Sequence, residues 1–174
     1  MDNSFFAYLQ HLELMAFFSG YPLMYAVVIF FSGNSKRYGR YKINAAVLLS
    51  FAYALVGTLF LGLQLKKLHD GNAAGGMAAG FQQPWLIIWG LLAILFWVPR
   101  LAKKPMVSLL HSCVFFFLLL KDLYLQAIPP NSGGEVLKND MNIYTSSLLL
   151  NAAAFAVVAF FSSVCFKYKT RLKA

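Results

Sequence analysis

Basic residues and long apolar runs alternate along this chain, and that alternation constrains its fold more than any other feature. Apolar stretches cover residues 5–32, 43–65, 84–101, 106–128 and 142–166. About 20 apolar residues are needed to carry a helix across roughly 30 Å of hydrocarbon. The expected fold is therefore an all-α integral membrane protein, a bundle of five transmembrane helices. The third stretch is the shortest on this measure, since only residues 85–98 are strongly apolar. Its Trp85, Trp89 and Trp97 match the aromatic belts found at membrane interfaces.

The charges set the orientation. Lys36, Arg37, Arg40 and Lys42 follow the first run; Arg100, Lys103 and Lys104 follow the third; Lys167, Lys169, Arg171 and Lys173 follow the fifth. Only Lys66, Lys67, Lys121 and Lys138 fall on the other side. Cations are retained on the cytoplasmic side, which places the N-terminus outside and the C-terminus in the cytoplasm. If the third run did not cross, the charge bias would conflict between the first connection and the tail. Met1–Ser4 carries no basic residue, so the first run is expected to be an uncleaved span. The chain contains no Asn-x-Ser/Thr acceptor, which favours a bacterial inner membrane. The net charge of +9 follows from topology and does not imply nucleic-acid binding. The basic tail is expected to anchor that topology, with anionic lipid contact as the sharper reading.

No connection is long enough to bury a core, so residues 1–174 form one polytopic domain with no soluble part. The longest connections are 69–83, which is glycine- and alanine-rich, and 129–141. Phosphate loops, nucleophile elbows and zinc-protease motifs are absent from the sequence. Cys113 and Cys165 lie at no metal or redox spacing. No cofactor is expected. The one haem geometry that the histidines allow, His11 with His69, is not the favoured reading.

Helices in lipid associate where small residues let backbones approach. Ala46, Ser50, Ala54, Thr58 and Gly62 recur at every fourth position of the second run. Ala152, Ala156, Ala159 and Ser163 recur at spacings of four, three and four in the fifth. Both are expected to be packing stripes in tight helix–helix contacts, with each other as one such pairing. Pro22 should kink the first helix about one turn upstream. Polar residues within spans are the best candidates for a site. His11 and Glu13 in the first run, Lys121 and Asp122 in the fourth, and Asn151 in the fifth all fall in the outer half. A Glu13–Lys121 ion pair is the simplest arrangement. The inner half is apolar apart from Ser108, His111 and Ser112.

These features point to a non-catalytic multi-pass subunit that assembles with itself or with partner membrane proteins. A small transporter or channel component is one alternative. A sensor or enzyme binding a lipid- or quinone-like ligand in an outer-half pocket is another. Transport is disfavoured because five spans do not divide into two equal repeats.

Overall fold

The structure, a computed structural model, describes residues 16–33, 39–73, 84–127 and 133–171. It is almost entirely helical, and the described residues contain no strand. The elements are α1 (Ala16–Ser19), α2 (Tyr21–Gly33), α3 (Gly39–Ala73), α4 (Pro84–Ile94), α5 (Pro99–Ala102), α6 (Pro105–Ala127) and α7 (Gly133–Arg171). A 3-10 turn, Leu95–Trp97, joins α4 to α5.

The proline positions explain the interruptions. Pro22 has no N–H to give, and its ring would meet the carbonyl of Phe18 in a continuous helix. The helix breaks at Gly20 and resumes at Tyr21, with Met24 N–H donating to the Gly20 carbonyl at 3.2 Å. The interruption falls two residues before the proline, nearer than the full turn expected. Val98 precedes Pro99 and is extended, with φ −72° and ψ 121°. A residue before proline is pushed out of the α region, so the helix of the third run cannot continue to residue 101. The chain turns through α5 and enters α6 at Pro105, where the missing N–H of a first-turn proline costs nothing.

Two helical stretches, Ala45–His69 and Met141–Cys165, are long and apolar enough to cross a membrane. The other three runs contain shorter apolar helices, Phe17–Phe31, Ile87–Trp97 and Pro105–Phe117. Five complete crossings are therefore not established by helix length.

Aromatic side chains dominate the core. Phe17, Phe18, Tyr21, Tyr53, Phe60, Phe96 and Phe115 pack with Leu49, Val56, Ala93 and Leu150. Phe18 is central, with its ring centroid 5.0 Å from Phe115, 5.1 Å from Phe60 and 5.5 Å from Tyr53. The helices α3 and α4 meet at short range: a Cβ on Gly57 would lie 2.6 Å from that of Ala93. Outside, Phe30, Phe31, Leu110, Phe117, Phe160 and Phe161 are exposed. Such a dense cover of large apolar residues suits hydrocarbon or a protein partner, not water.

The small-residue stripes divide. Ala46, Ser50 and Ala54 are buried, whereas Thr58 and Gly62 are exposed. An α-helix has 3.6 residues per turn, so a strict four-residue repeat drifts about 40° per step and leaves the contact face after three or four members. Ala156 and Ser163 are exposed, and Ala152 and Ala159 are half-buried. The face that α7 buries carries Ile143, Ser147, Leu150, Asn151 and Ala154, about 165° round the helix from that stripe at 100° per residue. The helices α3 and α7 do pack together. Within one chain, however, α7 turns its small-residue face away from the core, contrary to the expected pairing of the two stripes.

Candidate functional site

Near the corner between α4 and α6, three helices bring their few polar groups together. The spacing of these residues places them on single faces: Ser50 and Tyr53 on α3, and Ser108 and His111 on α6, each at i, i+3. Tyr21 enters from α2. Its hydroxyl shares a hydrogen bond with Ser108 Oγ at 2.9 Å, and Ser50 Oγ lies 3.5 Å from the same atom. Ser108 Oγ also donates to the Pro105 carbonyl at 2.8 Å, one turn earlier on its own helix. Ser50 and Ser108 are wholly buried. Such groups are retained in an apolar core only when paired, and these pairs tie α2, α3 and α6 into one arrangement.

One turn deeper, the Tyr53 hydroxyl meets His111 Nδ1 at 2.6 Å. The imidazole stacks on the Trp89 indole, with centroids 4.6 Å apart and planes inclined by 23°. Phe18, Tyr53 and Phe96 present edges or tilted faces to it. Among the described residues, His111 Nε2, Trp89 Nε1 and Gln64 Nε2 are buried without a well-aligned hydrogen-bond partner. If Tyr53 donates to Nδ1, the imidazole proton sits on Nε2. Trp89 Nε1 then holds an unfilled N–H donor, stacked beside a His111 imidazole that itself faces the Trp89 backbone carbonyl. That donor suits an oxygen acceptor such as a carbonyl. No group of three or more His, Cys, Asp or Glu gathers among the described residues.

A second polar group sits where α7 crosses the break at Gly20. A Cβ on Gly20 would lie 2.7 Å from the Leu148 Cα, so only glycine admits so close a crossing. There Ser147 Oγ accepts from the Gly20 N–H at 3.1 Å and lies 3.4 Å from Ser19 Oγ. Asn151 Nδ2 donates to the carbonyls of Phe17, at 3.1 Å, and Ser147, at 2.9 Å. Side chains of α7 thus serve backbone groups beside a proline-induced break, as irregular backbone in an apolar setting requires.

Of the polar residues singled out in the sequence, Asn151 is buried at this crossing. Lys121 is exposed on α6, and Asp122 lies on the same helix. His11 and Glu13 fall outside the described residues, and with them the Glu13–Lys121 pair and the His11 side of the haem geometry. His69 is exposed. Taken singly, Tyr21, Tyr53 and Trp89 carry no site signal in the sequence: Trp89 matches an interfacial aromatic belt, and Ser50 belongs to a packing stripe. The usable signal was the i, i+3 pairing of Ser50 with Tyr53 and of Ser108 with His111.

No known protein family, no curated protein and no solved structure matches the chain.

Proposed function

We propose that the chain is a five-span bundle of the bacterial inner membrane, N-terminus outside, serving as a non-catalytic subunit that assembles with itself or with other membrane proteins. The observation that carries this reading is α7. Its stretch Met141–Cys165 is apolar enough to cross a membrane, yet only 17% of it at its most apolar is buried, against 61% for Ala45–His69. The outward face combines small Ala153, Ala156 and Ser163 with Val157, Phe160 and Phe161. Small residues beside large ones provide the relief that close helix association in lipid uses. The test is purification of the full chain in mild detergent followed by mass measurement. An oligomer, or a co-purifying membrane protein in fixed ratio, is expected; a lone monomer would overturn the assembly reading.

A second reading rests on the unfilled Trp89 Nε1 stacked beside His111. Here the protein senses or binds a neutral apolar ligand carrying a carbonyl, such as a quinone, at the α4–α6 corner rather than in the outer half. A short-chain quinone should then raise the melting temperature of the wild type, and the gain should vanish in His111→Gln. An equal gain in both proteins rules this reading out.

A further inference from the structure

The corner between α4 and α6 carries three cations whose presentation topology alone does not explain. Arg100, Lys103 and Lys104 are all exposed, within one turn of backbone. Beneath them Ala102 and Phe96 are buried. The backbone of the corner is hydrogen-bonded throughout: Val98 N–H to Leu95 O, Leu101 and Ala102 N–H to Val98 O, Lys103 N–H to Pro99 O, Lys104 N–H to Leu101 O, and Val107 N–H to Lys104 O. Pro99 and Pro105 fix the turn at both ends.

Side chains pin the same corner from the bundle. Trp97 Nε1 donates to Thr58 Oγ1 at 3.0 Å, and its ring stacks on Phe51 with centroids 5.9 Å apart. The Tyr25 hydroxyl reaches Met106 Sδ at 3.6 Å, and Tyr21 holds Ser108. Residues 71–121 contain no Asp or Glu, so no nearby carboxylate in sequence competes for the cations. Flanking them, Leu95, Val98, Met106, Val107 and Leu110 are exposed apolar side chains. The corner therefore offers three exposed cations on an ordered backbone, flanked in the chain by exposed apolar side chains. An anionic phospholipid has the complementary form, with a phosphate-bearing head joined to acyl chains.

We propose that Arg100, Lys103 and Lys104 form a headgroup site for an anionic phospholipid, whose chains lie against Leu95, Val98, Met106 and Val107. This rests on the membrane-spanning reading above. It differs from general attraction of basic loops to anionic leaflets, because the backbone that carries the trio is ordered before the lipid arrives. A pre-ordered site selects particular lipid molecules and retains them through purification.

The test uses the full chain in mild detergent, titrated with phosphatidylglycerol or with phosphatidylcholine of the same acyl chains, and native mass spectrometry as the readout. The wild type should bind phosphatidylglycerol about tenfold more tightly, as expected for several basic residues acting at one headgroup. The combined variant Arg100→Gln, Lys103→Gln, Lys104→Gln should lose most of that preference. Lys103→Gln alone should lose part of it, which keeps the test valid if the triple variant fails to fold. Lys66→Gln with Lys67→Gln, at exposed positions elsewhere on the chain, should leave it intact. Absence of preference in the wild type overturns the site, as does equal loss in the Lys66 and Lys67 variant. Inorganic phosphate displacing the lipid at millimolar concentration would mean a free-anion site and overturn it as well. Release of the chain from native membranes by alkaline carbonate would instead remove the spanning reading on which the site depends. A chain that resists carbonate yet shows no preference overturns the headgroup site alone.

Discussion

Gly20 is the residue on which most of the packing between the first run and α7 turns. A methyl group there would meet the Leu148 and Ser147 backbone at 2.7–2.9 Å, and backbone cannot move aside as a side chain can. Gly20→Ala should therefore cost about 1–3 kcal/mol or more, the range for overpacked contacts, read as a lower melting temperature in detergent. Gly62→Ala is the control, since nothing lies within 4 Å of a Cβ placed there. It should be neutral, or stabilising by up to about 1 kcal/mol through helix propensity. Ser147→Ala leaves the Gly20 N–H without its acceptor side chain and should cost about 1–3 kcal/mol. If Gly20→Ala and Gly62→Ala melt alike, the close crossing does not exist. The sequence disclosed half of this. Pro22 announces a break, and Asn151 stands out as polar in an apolar run. What remained hidden is that the two belong together, because a contact between residues 134 positions apart leaves no local periodicity. The Tyr53–His111 pair was hidden for another reason: a tyrosine in an apolar run counts as bulk until its hydroxyl is seen to have a partner.

At the scale of the helix, pattern revealed which elements exist but not which way they face. The five apolar runs each contain a helical stretch, because a long run of mostly apolar residues is a local property. Facing is not local. On α7 two faces compete: one with small residues at Ala152, Ala156, Ala159 and Ser163, the other with Ser147, Asn151 and Ala154 beside Ile143 and Leu150. Both would look acceptable to a packing rule based on residue size. The second wins within the chain because it alone offers the hydroxyl and amide that the break at Gly20 needs. This gives an asymmetric expectation for two substitutions that look alike in sequence. Ala54→Leu inserts three heavy atoms at a fully buried position on α3 and should destabilise the fold by about 1–3 kcal/mol. Ala156→Leu falls on an exposed face and should leave the melting temperature of a single chain nearly unchanged. Size-exclusion with light scattering then reads the second variant for assembly. A shift toward smaller species would assign the small face of α7 to subunit contact, and no shift would leave it to lipid.

For the whole molecule, the third run decides the topology of everything that follows it. Its regular helix ends at Ile94 and its 3-10 turn at Trp97, since Pro99 forces Val98 out of the helix. The apolar stretch Ile87–Trp97 spans about 16 Å at 1.5 Å per residue, well short of roughly 30 Å of hydrocarbon unless residues before it contribute. Charge argues the other way. With five crossings, Arg100, Lys103 and Lys104 share the cytoplasmic side with the first connection and the tail. A third run that enters and returns would put those three cations outside, and it would invert everything after them. Single cysteines decide between the two arrangements, introduced with Cys113 and Cys165 replaced by alanine and labelled by a membrane-impermeant reagent on intact cells. Five crossings predict labelling at Gly75 and Asn131 and protection at Ser35 and Lys169. A re-entrant third run predicts the same result at Gly75 and Ser35 but the opposite at the other two positions, with Lys169 labelled and Asn131 protected. Labelling at Ser35 would reverse the orientation itself. The pair Asn131 and Lys169 thus reports on a helix that neither residue belongs to, because each later crossing inherits the side on which the third run ends.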